Sequence, residues 1–183
     1  TLLSNQSPGL KSHSYHVSQM ARDFGEYLGL CENAINKLVI GGVLHDIGKV
    51  SYDDDLLNGE ETIDENSMDI IHNHTIVGLS LVAHQIIDKE IREIILYHHE
   101  RTDGCGYPFG LIGNEIPFLV KIISIIDAYD AMTSARGYNT KRTVEEAIEE
   151  IKKCAGHQFD DNLAESFIRF LYQSHPLKHH FLS

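Results

Sequence analysis

At 183 residues, with 42% hydrophobic and 23% charged side chains, the chain has the composition of one soluble globular domain with room for a real core. Its formal net charge of −12 argues against a basic face for long nucleic acid, though a small phosphate ligand stays compatible if cations reverse the local sign. Lys121 and Asp127 interrupt the longest apolar run, so no membrane span or membrane contact is expected of the domain.

The three cysteines, Cys31, Cys105 and Cys154, fit no zinc spacing and read as reduced thiols, which favours the cytoplasm. No signal peptide opens the chain and it does not begin with Met. The expectation is a piece of a longer protein, with a sensory or receiver domain before it.

Residues 1–9 read as an irregular lead-in. From Leu10 onward, Val17, Met20, Phe24, Tyr27 and Leu28 recur at helical spacing until Gly29 closes the helix. His13 shares that stripe and so points to the core, where a bare imidazole needs a partner. A second helix is expected from about Glu32 to Ile47, with His45-Asp46 in its last turn. An aspartate there opposes the helix dipole, and a nearby cation would suit it better. Residues 51–65 are acidic and read as a solvated loop.

A third helix is expected from about Ser67 to Ile87, with His74 and Gly78 on one face. A fourth, near Lys89 to His99, delivers the pair His98-His99 into a loop with two glycines and Pro108. Pro117 is expected at a first helical position, and the run behind it (Phe118 to Ile126) is apolar almost all round, which makes that helix central. Asp127 and Asp130 interrupt it on one face. Burying an unpaired carboxylate costs several kcal/mol or forces it to protonate, so a metal or strong donor must meet at least one of them. Thr143 with Glu146 forms a capping box for a sixth helix ended by Gly156, and a seventh runs from about Asp160 to Tyr172. No strand or repeat is visible, and the fold class is all-α.

Twelve histidines are present. His72, His84, His157 and His175 read as surface or satisfied core residues, and His179 and His180 as solvated tail. The others assemble a constellation: His13, His45, Asp46, His74, His98, His99 and Asp127. Five imidazoles and two carboxylates over five helices suffice for two divalent ions with a bridging carboxylate. Nitrogen and oxygen donors without sulfur suit iron or manganese better than structural zinc.

His45-Asp46-Ile47-Gly48-Lys49 resembles the HD signature. His98-His99-Glu100 followed by Asp103-Gly104-Cys105-Gly106-Tyr107-Pro108 resembles that of the HD-GYP subgroup. The resemblance runs from His13 through Asp127 to Gly156-His157-Gln158-Phe159-Asp160. It implies a single HD-GYP domain over residues 1–183, built as an HD-domain bundle of about seven helices with a Gly-rich loop. It implies a phosphodiesterase that opens cyclic di-GMP, or a related cyclic dinucleotide, to the linear dinucleotide, with GMP after a second round.

Carried over by position, the resemblance makes the seven residues of the constellation metal ligands, with Asp46 as bridge. It makes Asp46 and Lys49 catalytic, and Gly106, Tyr107, Pro108, Arg136 and Lys141 substrate contacts. Iron or manganese is implied, nickel also fits, and a homodimer is compatible.

Three positions depart from the pattern. The second basic residue after Arg136 is Asn139, with Lys141 two positions on. The Glu four residues before the first ligand is Gly9, and the Arg three residues after it is His16. Two ions rather than three are therefore expected. Asn139 sustains the competing reading, a non-hydrolysing domain that binds nucleotide or a protein partner.

Overall fold

The first helix begins where Ser7 caps it. The Ser7 hydroxyl accepts the Leu10 N–H at 3.3 Å, and Pro8 fills the first turn. That signal carries the helix through Gly9, so it starts two residues earlier than apolar spacing alone suggests.

The structure, a computed structural model, describes residues 7–51, 72–134 and 141–174. Among these it contains α1 (Pro8–Tyr27), α2 (Glu32–Leu44), α3 (His74–Leu81), α4 (Lys89–Tyr97), α5 (Phe118–Thr133), α6 (Val144–Cys154) and α7 (Asp161–Ser174). Two short 3-10 segments, Ile47–Ser51 and Gly113–Glu115, join them, and only isolated bridges interrupt the helical pattern. No described helix is long and apolar enough to cross a membrane. Arg136, Asn139, His175, His179, His180 and the acidic stretch beyond Ser51 lie outside the described residues.

α5 is the axis. Val120, Ile122, Ile123, Ile125 and Ile126 are fully buried, and α5 packs against α1, α2, α4, α6 and α7. An aromatic knot of Phe24, Phe167 and Phe170 closes one end, with Phe24 edge-on to Phe167 at 5.0 Å between ring centroids. A smaller cluster of Ile47, Val82, Ile91 and Ile95 fills the other side, under α3 and α4. Thr143 and Glu146 make the expected reciprocal cap on α6.

Three helices end earlier than their apolar spacing predicts. α2 stops at Leu44, because the His45 ring donates to the Gly42 carbonyl at 2.8 Å, the acceptor that a further helical turn would use. α3 stops at Leu81, and a turn buries Val82 against Ile47, Ile91 and Ile95 before the chain reverses into α4. α4 stops at Tyr97, so that His98 caps it and His99 lies beyond.

The 3-10 segment after Asp46 crosses α3 backbone to backbone. A β-carbon at Gly48 would stand 1.9 Å from the His74 carbonyl oxygen and 2.7 Å from the Gly78 nitrogen. No side chain can yield there, since both neighbours are main chain. Gly48→Ala is expected to cost roughly 3 kcal/mol, the upper part of the overpacking range, and about 6–12 °C in Tm for a domain of this size. Gly9→Ala, where nothing lies within 4 Å of the new carbon, is the control and should be neutral or mildly stabilising. Equal melting of the two variants would refute the close crossing.

Candidate metal centre

Helices α1, α3 and α4 and the turn after α2 bring imidazoles to one point beneath α5. His13, His45, His74 and His98 are buried, as is Asp46. Three of the rings are oriented from behind. His13 Nδ1 donates to Asp130 Oδ2 at 2.6 Å, His45 Nδ1 to the Gly42 carbonyl at 2.8 Å, and His98 Nδ1 lies 3.1 Å from the carbonyls of Ile94 and Ile95. With Nδ1 donating to these acceptors, Nε2 turns inward, the arrangement that second-sphere acceptors impose on metal-binding histidines. The inward atoms face each other closely: His13 and His45 at 3.2 Å, His74 and His98 at 3.3 Å. At that range each pair needs a proton or a metal cation between its two nitrogens.

Asp46 stands in the middle. Its Oδ1 lies 3.2 Å from His74 Nε2 and 3.6 Å from His98 Nε2, and its Oδ2 lies 3.5 Å from His45 Nε2 and 3.7 Å from His13 Nε2. Lys49 Nζ reaches the same Oδ2 at 2.7 Å. Oδ1 is fully buried and none of its neighbours meets hydrogen-bond geometry, so a full lone pair waits for a positive partner. Asp127 adds an oxygen 3.1 Å from His13 Nε2.

Two donor groups result, Asp46 with His74, His98 and His99, and Asp127 with His13 and His45. Within each, the ligand atoms lie no more than 4.8 Å apart. The buried cluster fits divalent metal binding.

The electrostatics agree with that fit. Burial lowers the pKa of His45 to about 4 and depresses His74. Burial with the neighbouring His98 holds His99 well below the usual range. These rings are neutral at neutral pH, the form that ligates. Burial would raise Asp46, but Lys49 and the surrounding histidines hold it well below the ordinary carboxylate range, and Asp127 is likewise depressed by His13 and His45. His13 is the exception. Burial would lower it, yet Asp127 and Asp130 raise it to about 9, so without a cation the site draws in a proton.

The loop after His99 forms one wall. Gly106 packs on main chain, with a β-carbon there 2.5 Å from the Arg101 nitrogen and 2.6 Å from the His99 oxygen. Tyr107 lies flat against the His99 ring, centroids 4.7 Å apart, and Pro108 follows, half-buried. Arg101 forms a fork to Asp103 (3.0 and 2.6 Å) and reaches the Gln158 side chain at 3.1 Å. The amides of Thr102 and Asp103 donate to the carbonyls of Gln158 and His157. The turn between α6 and α7 is thereby the loop's anchor.

Reading the sequence alone misses three contributors. Glu100 is buried, and its two carboxyl oxygens accept the amides of Phe109 and Leu111 at 2.8 and 2.9 Å. Its adjacency to the histidine pair was the only signal. Asp130 is the partner that orients His13, and it also accepts from the Ser134 hydroxyl at 2.9 Å; its spacing from Asp127 flagged a needed partner without naming it. His72, read as a surface or core residue, stacks on Tyr107 with ring centroids 4.0 Å apart. Lys141 is exposed, and no hydrogen bond or ion pair among the described residues links it to the cluster. His16 sits at the edge, about half exposed, 3.6 Å from Asp130.

Residues 1–163 match the model of the HD domain. The chain belongs to the HD domain family. Within it, the run from His98 to Pro108 is that of the HD-GYP type. A cyclic di-GMP phosphodiesterase of Thermotoga maritima is 32% identical over 159 residues, 86% of this chain and 43% of the relative. A 3'3'-cGAMP-specific phosphodiesterase of Vibrio cholerae is 30% identical over 156 residues, 84% of this chain and 30% of the relative. This HD domain chain thus spans less than half the length of the curated relatives it matches. The solved HD domain of the Listeria monocytogenes phosphodiesterase PgpH, in complex with cyclic di-AMP, superposes with a TM-score of 0.69 at 20% identity, covering 100% of this chain and 99% of that one. This last likeness establishes the fold.

Glu100→Gln tests the wall. The amide cannot accept on both sides, so one of the two loop N–H groups loses its partner. Amide exchange at Phe109 and Leu111 is expected to speed by about tenfold or more, the equivalent of roughly 1.4 kcal/mol, with helical content retained. Unchanged protection at both amides would show that Glu100 does not hold the loop.

Proposed function

We propose that this domain is a metal-dependent phosphodiesterase that opens cyclic di-GMP, or a closely related cyclic dinucleotide, to the linear dinucleotide. The observation that carries the reading is the shared carboxylate, with Asp46 Oδ1 facing His74 and His98 and Oδ2 facing His13 and His45. A single buried carboxylate set between two donor groups is what a two-ion site needs. The names of the relatives, cyclic di-GMP and 3'3'-cGAMP phosphodiesterases, supply the substrate class.

In this reading His13, His45, Asp127 and Asp46 would hold one ion, and His74, His98, His99 and Asp46 the other. Iron or manganese suits these donors, and nickel fits as well. Such ions supply a water of lowered pKa and neutralise charge on phosphoryl oxygens. The chain's own residues do the rest. Asp130 and the backbone carbonyls behind His45 and His98 keep the imidazoles aimed inward without reorganisation at the moment of reaction. Lys49, at the rim on Asp46, would meet a phosphate oxygen, and the loop from Gly106 to Pro108 would bound one side. Arg136 and Lys141 are assigned to the substrate's phosphates by their place in the sequence.

Metal-loaded protein incubated with cyclic di-GMP, 3'3'-cGAMP and cyclic di-AMP, followed by chromatography, tests the reading. Linear dinucleotide is the expected product. Tight binding without turnover would favour the non-hydrolysing alternative. Asp46→Asn keeps the shape and removes the shared charge, and should lower turnover by at least about 100-fold, the scale of losing one preorganised charge-stabilising group. Retention of most activity would sink the shared-carboxylate reading.

Two ions per chain are expected. Gly9 offers no side chain, and both Asp130 oxygens are engaged, by His13 at 2.6 Å and by Ser134 at 2.9 Å. Metal analysis of anaerobically purified protein, with anomalous scattering to place the ions, decides this. Three fully occupied positions including His16 would overturn it.

A further inference from the structure

The candidate ligands are not all oriented in the same way. His13, His45 and His98 each have an Nδ1 acceptor that fixes the ring. His99 makes no ring hydrogen bond among the described residues. Its ring packs against three others: His98 at 4.1 Å, His74 edge-on at 5.0 Å, and Tyr107 stacked at 4.7 Å with 28° between planes. Its aim therefore depends on where Tyr107 is held.

The far side of Tyr107 is held by His72. The two rings are 4.0 Å apart and 25° from parallel, the tightest ring pair in the site. His72 and His99 make no ring contact with each other although both stack on the same phenol, so they cover opposite faces of it. His74 closes the side, edge-on to Tyr107 at 6.4 Å. The sandwich joins two parts of the chain far apart in sequence, the residues leading into α3 and the loop after α4. Offset aromatic stacking is directional, and a ring clamped on both faces cannot tilt freely.

We infer that His72 is a positioning residue for His99, acting through Tyr107 as the outer leaf of a three-ring stack. The stack does for His99 what a hydrogen-bond acceptor does for His13, His45 and His98. Tyr107 then serves the ligand set first, and contacts with substrate second. What matters at position 72 is a flat ring, and the imidazole nitrogens are incidental. The metal consequence rests on the two-ion reading above, while the geometric one does not.

The test uses histidine-labelled protein in two states. In the metal-free state, carbon–proton spectra with each histidine assigned by substitution should show the His99 ring signals shifted in His72→Ala, with those of His13 and His45 unmoved. His72→Phe, which keeps the flat ring, should leave His99 at its wild-type position. In the metal-loaded state, Mn²⁺ affinity measured against a competing chelator should fall about tenfold for one ion in His72→Ala. That is the lower end of what losing an orienting partner of a ligand costs, and His72→Phe should recover it.

Unmoved His99 signals in His72→Ala would overturn the proposal, as would a His72→Phe variant as impaired as His72→Ala. Should the alanine variant fail to fold, His72→Leu, bulky but not flat, takes its place with the same expectations. A wild-type protein that binds no metal would defeat the phosphodiesterase reading, and the metal-free spectra would still decide the stack.

Discussion

One buried carboxylate organises this molecule. Asp46 is placed where water cannot solvate it, and its two oxygens look toward different pairs of imidazoles. An ionised carboxylate in such a place is tolerated only with charge-compensating neighbours. Much of the local architecture follows from providing them. α2 must end before Asp46 so that the side chain can turn inward, and the His45 ring takes over the Gly42 carbonyl at that end. The 3-10 segment must then cross α3 at main-chain distance to bring His74 up to Oδ1, which leaves no room for a β-carbon at Gly48. Lys49, in the middle of the same segment, supplies the cation nearest the surface.

The second constraint is rigidity on the open side. A Gly-rich loop would ordinarily sample many conformations, at an entropic cost when it orders. Here the loop is fixed from three directions. Glu100 draws in two of its amides, Gly106 seats it on the main chain of His99 to Arg101, and Arg101 with Thr102 and Asp103 ties it to the turn at 157–158. The sequence stretch from Gly156 to Asp160, far from any candidate ligand, thus has a physical reason to belong with the site. It is the abutment against which the loop rests.

The legible part of the site was the part that obeys spacing. Seven ligand candidates were visible because histidine and aspartate on apolar helical faces are conspicuous, and the structure brings all seven together. The central helix was equally plain, since an almost wholly apolar run from Phe118 to Ile126 has nowhere to go but inside. What stayed hidden depends on tertiary contact. Nothing in sequence joins Asp130 to His13, 117 positions away, or His72 to Tyr107 across two segments. Helix ends were misjudged wherever a side chain or a buried turn competes with the next helical hydrogen bond, as at His45 and Val82. Apolar periodicity records which face is inside and is silent on where the backbone stops.

Charge balance couples the metal site to its proposed substrate. A protein of net charge −12 is a poor partner for an anion over most of its surface, yet attraction is set locally and decays within about 10 Å at moderate salt. In the metal-free cluster the carboxylates of Asp46, Asp127 and Asp130 face Lys49 and a protonated His13, which leaves no positive surplus. Two divalent cations would outweigh the three carboxylates, displace the proton from His13, and let Lys49 face outward to a phosphate. On the proposed reading, metal loading and dinucleotide binding are therefore linked events: the ions make the pocket attractive to an anion as well as reactive toward it.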